Sequence, residues 1–509
     1  MDYKVINKAI AVTETLYDGY DERPVDCDFV LPDYYPDIAA VLKCTLKPVI
    51  QSKQLSGDRL IVDGTVIIHV LYLDESRKCI RSCELTRPFT STFSVKTGVS
   101  NPVIRATTKT EYVNCRAVSP RRLDIHGSFS VRLRMLAEGG AEVVSAINGD
   151  TMHTRKNVVT YSVPAMSAEK SFTINEVLEL GSAQPPAETI IRGDAAAELS
   201  DCKLMVNKAI IKGEVKLCNL YTSDVTTGNV HKAEHEIPFS QIIDIEGLDE
   251  EWQCDTRVDI VSSDIKISQN QNGEGKLLEI NLKLAATVDC YRTGMAEVVT
   301  DAYSTACPVN LEKKRLDTSH LLAIKTDKST IRETFDLPPE GADEIIDIWC
   351  DASPLEESCE NGVSRINGRM LIYLLAKDGS GNVSFFERPA DFSLEYEDDG
   401  CTNVSSDLAV SKVDYSMAGS GQVEIRVQLN VTRRCFASDS LVAVSSVQVD
   451  ENAAYPAEKA ALKIYFANSG ESVWEVAKSC RTSVDAIIQE NNLSGDVLAK
   501  DTMLLIPLC

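Results

Sequence analysis

The stretch DRLIVDGTVIIHVLYLDE, at Asp58–Glu75, indicates how the chain is organised because related stretches recur twice further along it. They read KAIIKGEVKLCNLYTSD at Lys208–Asp224 and SRINGRMLIYLLAKD at Ser364–Asp378. The glycines on which the three stretches align are Gly64, Gly213 and Gly368. A self-similar pattern repeating at roughly 150 residues indicates tandem copies of one structural unit, each large enough for its own core.

Two further landmarks follow each glycine in the same order. The first is a proline with an aromatic residue close by, in ELTRPFTSTF, EHEIPFSQII and FFERPADFSL. These aromatic residues are Phe89, Phe239 and Phe392. The second is a segment of alternating apolar and polar residues, which begins at Leu123, Leu278 and Val423. Alternation with a period of two predicts strands with one buried and one solvated face.

The predicted fold class is mainly β, with three tandem sandwich or open-barrel repeats followed by a small α+β module. Antiparallel strands with one wet face must close over a shared core, which favours these architectures. The predicted boundaries are 1–150, 165–305 and 328–450 for the repeats, 451–461 for a linker and 462–509 for the last module. Glycine-rich tips predict hairpin turns at 272–275, 378–381 and 418–421.

Helices and interior linkers are expected at only a few places in the repeats. PDIAAVLKC, residues 36–44, follows a proline-limited turn and is the best candidate helix. Weaker counterparts are expected at 187–193 and 343–350. The polar stretches 162–170 and 305–330 are predicted to be linkers between repeats.

The tail predicts the order βααβ. Its strands and helices are expected at Leu462–Ala467, Val473–Cys480, Val484–Asn492 and Met503–Pro507. Ser472, with Glu475 three residues later, is a capping box for the first helix, and Ser483 caps the second. We interpret Trp474 as the core anchor of the first helix rather than as a platform for stacking a sugar.

Composition limits the possible functions. The 509 residues include 52 Lys and Arg against 76 Asp and Glu, a formal net charge of −24 that disfavours nucleic acid or an anionic membrane as partner. The sixteen cysteines form no CxxC pair and only six histidines are present, so we predict no metal and no cofactor. Without a secretory signal or an apolar run of 18 residues, we expect a cytoplasmic protein that does not insert into membranes and has reduced cysteines.

The sequence offers no catalytic motif. Neither a G-x-S-x-G elbow nor a GxxxxGK[ST] loop occurs. His231 and His235, in HKAEH, are interpreted as solvated edge residues of a strand rather than as metal ligands. Acidic runs such as 397–399 are typical of solvated turns, although paired carboxylates could in principle serve a glycosidase. We therefore expect a protein that is not an enzyme.

The tail resembles a LysM domain over its whole length. The matching landmarks are Tyr465, the turn 470–472, Trp474, Ala477, the segment 491–493 and the closing strand 504–507. LysM domains typically bind glycans that contain N-acetylglucosamine, so the resemblance implies a shallow groove for a glycan or a protein partner. Its residues would be Gly470, Glu471, Ser472, Val473, Asn491, Asn492, Leu493 and Ser494. Glu471 and Ser472 replace the Asp and Thr usual at this turn.

The front of the chain is similar to a SPOCS domain, a module named for spore-coat proteins. The similarity lies in LPDYYPDIAAVL at Leu31–Leu42, followed by Gly64 and Leu71-Tyr72. SPOCS repeats before one LysM domain resemble the SipL-like morphogenetic proteins of clostridial spore coats. The resemblance implies a non-catalytic scaffold in the mother-cell cytoplasm, at the forespore surface. Its implied partners are the coat-basement ATPase and other coat proteins.

A second function class stays open. In this alternative the LysM domain targets a cell-wall protein whose β-rich repeats bind or process glycan. Such a protein would need export and a pair of catalytic carboxylates that converge across a sugar. Binding to purified peptidoglycan, compared with binding to the ATPase, separates the two classes.

Overall fold

The computed structural model describes residues 3–95, 98, 102–337, 343–418, 421–456 and 460–507. Over these residues the repeats consist of long antiparallel strands, and both α-helices lie in the C-terminal module. The strands of the repeats are 15 to 28 residues long, well beyond the ordinary length of about five or six residues.

Six strands form the first repeat. They are β1 (Lys4–Val30), β2 (Ile38–Ser56), β3 (Arg59–Asp74), β4 (Ile80–Ser94), β5 (Val103–Ser119) and β6 (Arg122–Asn148). They pair into two antiparallel three-stranded sheets, one with the order β1-β6-β5 and the other with the order β2-β3-β4.

The second and third repeats have the same strand order. The second contains β7 (Met152–Glu179), β8 (Thr189–Met205), β9 (Lys208–Asp224), β10 (Asn229–Asp244), β11 (Gln253–Ser268) and β12 (Leu277–Ser304). The third contains β13 (Val309–Asp336), β14 (Glu344–Glu360), β15 (Val363–Lys377), β16 (Val383–Glu397), β17 (Asn403–Met417) and β18 (Gln422–Val449). Their sheets are β7-β12-β11, β8-β9-β10, β13-β18-β17 and β14-β15-β16.

Each repeat is a two-sheet sandwich with its own hydrophobic core. In the first repeat, Leu60 and Ile68 of β3 pack against Leu123 and Phe129 of β6, so both sheets contribute their apolar faces. The other two repeats have separate cores of the same kind. The predicted fold class, mainly β repeats followed by a small α+β module, is confirmed.

The repeated glycine and aromatic residue are neighbours on paired strands. Gly64 lies directly opposite Phe89, and a Cβ on Gly64 would come within 2.4 Å of the Phe89 ring and 2.3 Å of the Val49 carbonyl oxygen. The corresponding pairs are Gly213 with Phe239 and Gly368 with Phe392. A glycine in a strand often marks such a close approach, so the ring covers the bare backbone in all three repeats.

The three helices expected in the repeats are wrong. Tyr35 donates its backbone N–H to the Pro32 carbonyl at 3.0 Å, which forms the expected turn, but the chain then enters strand β2. The other two segments lie at the starts of β8 and β14. All three strands have a shift in their pairing near the first residues, after Ile38, Ile190 and Ile345. A bulge moves side chains to the opposite face, so the apolar pattern loses its period of two.

The two interior linkers are also wrong. Residues 162–170 lie within β7, and all but the first four residues of 305–330 lie within β13. Each strand is at the edge of its sheet, where polar side chains on the wet face give a linker-like composition. The strands of the second and third repeats consequently begin at Met152 and Val309.

The predicted hairpins at 272–275 and 378–381 connect β11 to β12 and β15 to β16. In the third hairpin the Ala418 N–H donates to the Gln422 carbonyl at 2.9 Å, while residues 419 and 420 lie outside the described residues. His231 and His235 are half-buried on β10. Their Nε2 atoms lie 3.0 Å from the Ser223 hydroxyl and 3.3 Å from the Glu179 carbonyl oxygen, respectively.

Apolar clusters at the junction of the repeats draw side chains from all three of them. One cluster contains Leu71, Leu73, Ile80, Ile191, Leu220, Leu375 and Val383. A second contains Ile10, Val143, Val159, Ala296, Val298, Leu316 and Ala443. Because each cluster is buried only when three repeats meet, the repeats stabilise one another.

A buried ion network lies at the same junction. Arg105 of the first repeat donates to Asp289 at 2.9 Å and to Asp255 at 2.8 Å, both in the second repeat. Arg434 of the third repeat donates to Asp255 at 2.6 Å. Burial would raise the pKa of Asp255, but the hydrogen bond from Arg434 and the nearby positive charges of Arg434, Arg105 and Arg257 hold that pKa below its ordinary value. The network therefore joins all three repeats.

The C-terminal module follows a short 3₁₀ turn at Glu451–Ala453. Its elements are β19 (Leu462–Ala467), α1 (Val473–Cys480), α2 (Val484–Asn491) and β20 (Thr502–Pro507). The two strands pair antiparallel, and the helices pack on one face of this small sheet. The predicted order βααβ is confirmed within the described residues, which end at 507.

Candidate binding groove and its attachment to the repeats

Serine residues start both helices of the C-terminal module, as predicted. Ser472 is in an extended conformation, and its hydroxyl accepts the Trp474 N–H at 3.2 Å. The Ser483 hydroxyl accepts the Ala486 N–H at 3.1 Å. Each cap satisfies an N–H that lacks a partner within its helix, so the turns before α1 and α2 are fixed.

The first wall of the candidate groove, 470–473, pairs with a loop segment that the sequence did not indicate. The Gly470 N–H donates to the Leu498 carbonyl at 2.7 Å, and the Val473 N–H donates to the Asp496 carbonyl at 2.8 Å. Gly470 has a φ of +86°, which glycine adopts without strain. The backbone of 496–498 therefore lies directly beside 470–473.

Glu471 is directed into its own turn. Its carboxylate accepts the Tyr465 hydroxyl at 2.5 Å and the Asn468 N–H at 3.1 Å. The hydrogen bond to Glu471 raises the pKa of Tyr465. The replacement of the usual Asp by Glu thus gives a side chain long enough to reach back to β19, and its polar atoms stabilise the turn.

The second wall, 491–494, is built around Asn491. Its amide donates to the Ile487 and Leu505 carbonyls at 2.9 and 2.7 Å, and its carbonyl oxygen accepts the Leu505 N–H at 2.7 Å. Asn492 ends α2 in the left-handed conformation, with a φ of 50°. Asn491 and half-buried Leu493 are thus structural, and Asn492 and Ser494 are left to face solvent.

The exposed lip of the groove combines predicted and unpredicted residues. The solvent-facing residues are Gly470, Asn492, Ser494, Gly495, Asp496 and Val497. The exposed Val497 pairs with Ser472 in an isolated β-bridge. The sequence did not indicate residues 495–497, because their pairing with Ser472 is not local in the sequence. A ligand here would meet the polar side chains of Asn492 and Ser494, the Asp496 carboxylate and the apolar Val497.

Helix α1 attaches the module to the second repeat. Trp474 is buried, as predicted, and its ring lies edge-on to Tyr303 of β12, with ring centroids 5.0 Å apart. The Trp474 indole N–H donates to Asp301 at 2.9 Å. The Tyr303 hydroxyl donates to the Thr482 carbonyl at 2.7 Å. Trp474 therefore belongs to both the core of the module and the contact with the repeats.

Two lysines surround the Asp301 carboxylate. Lys478 of α1 donates to its oxygens at 2.7 and 2.9 Å, and Lys313 of β13 donates at 3.0 Å. Burial would raise the pKa of Asp301, but the hydrogen bonds from Lys478, Trp474 and Lys313 and the charge of Lys478 hold it at about 2. Asp301 is therefore ionised at neutral pH and joins the second repeat, the third repeat and the module.

Two family models match the chain, one in the first two repeats and the other in the C-terminal module. The model described as "SipL, SPOCS domain" matches residues 37–118 and 186–268. The model described as "LysM domain" matches residues 468–507. The chain is thus similar to SipL in two SPOCS segments and carries a C-terminal LysM domain. Searches of the curated proteins and of the solved structures found no match.

The SPOCS matches cover the same four strands in each case. They run from the turn before β2 to the end of β5, and from the turn before β8 to the end of β11. The third repeat has the equivalent strands β14 to β17 in the same sheet order. The SPOCS and LysM families indicate a spore-coat-related protein that carries a module of the glycan-binding type.

The LysM sheet has an apolar face turned away from its helices. Leu462, Ile464 and Phe466 alternate along β19 on this face, and Met503 lies across from Phe466 on β20. Phe466 is 75% exposed and Ile464 is 58% exposed. We call these four residues the outer face of the LysM domain. Such grouping of apolar residues on one surface is typical of a site of protein contact.

The described part of the chain has no group of three or more His, Cys, Asp or Glu residues arranged to hold a metal ion. Its two α-helices are each eight residues long, and no helix in that part is long and apolar enough to cross a membrane.

Proposed function

We propose that this chain is a non-catalytic scaffold of spore-coat assembly, docked by its LysM domain to the coat-basement ATPase at the forespore surface, on the mother-cell side. The outer face of the LysM domain carries this proposal. A glycan is recognised by polar groups and aromatic platforms, whereas the centre of a protein interface is apolar and rich in aromatic residues and methionine. Leu462, Ile464, Phe466 and Met503 have the second character.

The attachment of the LysM domain to the repeats supports the same role. Trp474, Lys478 and Tyr303 fix α1 against the second repeat. The outer face lies on the opposite side of the small sheet from the helices and is free of this contact. A docking surface held by a rigid body loses less conformational entropy on binding than one on a flexible tether.

The test is a pull-down of the full-length chain on immobilised coat-basement ATPase. Phe466→Glu places a charge in the outer face, and we expect capture to fall about tenfold or more. Val158→Glu, at an exposed apolar residue of β7, is the matched control and should leave capture unchanged. Equal capture of both variants would contradict docking through this face.

Localisation gives a second test in sporulating cells. Deleting 462–509 removes the outer face and the groove, so recruitment to the forespore surface should be lost. Because the deletion also uncovers Tyr303 and Asp301, the Phe466→Glu variant, which keeps the LysM domain, should be examined beside it. Forespore recruitment of both variants would contradict the proposal.

The exposed lip of the groove favours a second candidate function, the binding of cell-wall glycan. Ser494→Arg would place a long side chain at this exposed lip, at a residue that is not part of the outer face. We expect the variant to lose binding to purified peptidoglycan if the groove takes glycan, while capture by the ATPase stays intact. Peptidoglycan binding by the native chain without ATPase capture would favour the LysM-targeted cell-wall protein.

A further inference from the structure

Two cysteines of the second repeat face each other across a pair of strands. Cys254 of β11 is the direct register partner of Cys290 of β12, and their Sγ atoms are 2.7 Å apart. Directly opposite residues of antiparallel strands have Cα atoms about 4.5 or 5.5 Å apart. Both spacings fall within the range of about 4.4–6.8 Å that a disulfide spans. The bond could therefore form without moving the backbone.

The two thiols differ in access. Cys254 is partly exposed and lines a cavity of about 890 Å³ between the repeats. Cys290 is fully buried, with 0% of its surface exposed, in the core of the second repeat. An oxidant that enters the cavity therefore reaches the Cys254 sulfur first. The buried Cys290 sulfur, 2.7 Å away, can then attack the oxidised Cys254 sulfur.

The adjacent register pair on the same two strands, Asp255 and Asp289, connects the three repeats. Asp255 binds Arg105 of the first repeat and Arg434 of the third, and Asp289 binds Arg105. A covalent bond between Cys254 and Cys290 would fix the spacing of β11 and β12 one residue away from this ion network.

We infer that Cys254 and Cys290 are an oxidation site, at which a peroxide converts two thiols into a disulfide that staples β11 to β12 beside the junction of the repeats. The Cys254 sulfur attacks one peroxide oxygen, the O–O bond breaks, and water leaves with a sulfenic acid on Cys254. The Cys290 sulfur then attacks the Cys254 sulfur, the S–O bond breaks, and a second water leaves. Two thiols and one hydrogen peroxide thus give one disulfide and two waters.

A third thiol provides a matched control. Cys202 of β8 also lines the cavity, and its sulfur accepts the Thr256 hydroxyl at 3.3 Å. It is not the register partner of either cysteine. Both the hydrogen bond to Cys290 and burial raise the pKa of the Cys254 thiol, so only a small fraction of Cys254 is thiolate, the form that attacks a peroxide, at neutral pH.

The experiment treats the reduced full-length protein with hydrogen peroxide, alkylates the remaining thiols and maps the unreduced peptides by mass spectrometry. We expect a peptide pair linked through Cys254 and Cys290 that disappears on reduction. The link should persist in Cys202→Ser and be absent in Cys254→Ser. Alkylated Cys290 after peroxide treatment of the native chain, or a link from Cys254 to Cys202, would overturn the inference without requiring any variant to fold.

Stability provides the second measurement. The oxidised native chain should unfold at a midpoint several degrees higher than the reduced chain, because the link constrains the unfolded chain. Cys202→Ser should keep this shift and Cys254→Ser should lose it. An unchanged midpoint in a chain shown to be linked would overturn the role of the disulfide as a staple of the junction.

Discussion

The indole N–H of Trp474 donates to the Asp301 carboxylate at 2.9 Å, and this hydrogen bond joins the LysM domain to the second SPOCS repeat. The same carboxylate accepts from Lys313 of the third repeat and Lys478 of helix α1. Asp301, a buried acid of the second repeat, thus accepts donors from both the third repeat and the LysM domain, and it acts beside the hydrogen bond from Tyr303 to the Thr482 carbonyl. Replacing Asp301 measures how much of the attachment depends on this carboxylate.

Replacing Asp301 should release the LysM domain from the repeats. Asp301→Ala leaves the Trp474 N–H and the Lys478 ammonium without their acceptor, which should cost about 2 kcal/mol of docking free energy. Hydrogen exchange of α1 and proteolysis near residues 454–456 measure the release in the full-length protein. Asp317→Ala, which breaks an exposed pair with Arg315, is the control. Equal protection of α1 in the two variants would contradict the role of Asp301.

The contribution of Asp301 should depend on pH in a specific direction. Its pKa is about 2 in the folded chain, below the ordinary value of 3.8. A carboxyl group whose pKa is lowered by folding stabilises the folded state above its unfolded pKa and loses this contribution as the pH falls through the folded value. The difference in unfolding free energy between the native chain and Asp301→Asn should therefore be constant above about pH 5 and shrink toward pH 2. A constant difference down to pH 2 would show that Asp301 is not held ionised.

The glycines that align the repeats should resist substitution. A Cβ on Gly64 would lie 2.3 Å from the Val49 carbonyl oxygen and 2.4 Å from the Phe89 ring. Gly64→Ala should lower the free energy of unfolding by about 2 kcal/mol, as overpacking does in other cores. Gly140→Ala is the matched control, because nothing lies within 4 Å of its added Cβ. Chemical denaturation of both variants measures the difference, and similar losses would contradict the close approach.

The strands, the repeats and the LysM helices could be predicted because their signals are local. Alternation at Val423–Val431, the caps Ser472 and Ser483, and the recurrence of Gly64 can all be read along a short stretch. The helix predicted at the start of β2 is wrong because bulges near Ile38 and Val41 interrupt the strand's period of two. A bulge depends on the partner strand, which the local sequence does not indicate.

Contacts between distant parts of the chain could not be predicted. Trp474 and Asp301 are 173 residues apart, and Arg434 and Asp255 are 179 residues apart. Such pairs depend on how the repeats pack, and an isolated Asp or Arg in a strand has no pattern that indicates its partner. In the groove, the backbone pairing of 470–473 with 496–498 likewise depends on tertiary structure.

The ion network should determine whether the three repeats unfold together. Asp255 is almost fully buried and accepts hydrogen bonds from Arg105 and Arg434. Asp255→Ala removes a shared acceptor and leaves buried Arg434 with Asp407 and half-buried Arg105 with Asp289 as their remaining acidic partners, which should cost up to about 3–5 kcal/mol. Because Arg105 belongs to the first repeat and Arg434 to the third, the loss should weaken the coupling between repeats more than any one core.

Calorimetry and denaturant titration of the full-length chain measure this coupling. The native chain should unfold its repeats in one main transition, and Asp255→Ala should separate it into resolved steps at lower denaturant. Asp391→Ala, which breaks an exposed pair with Arg369, should change the midpoint little because exposed ion pairs contribute about 0–1 kcal/mol. A single undivided transition in Asp255→Ala would show that the apolar clusters alone, such as that around Leu71, Ile191 and Leu375, hold the repeats together.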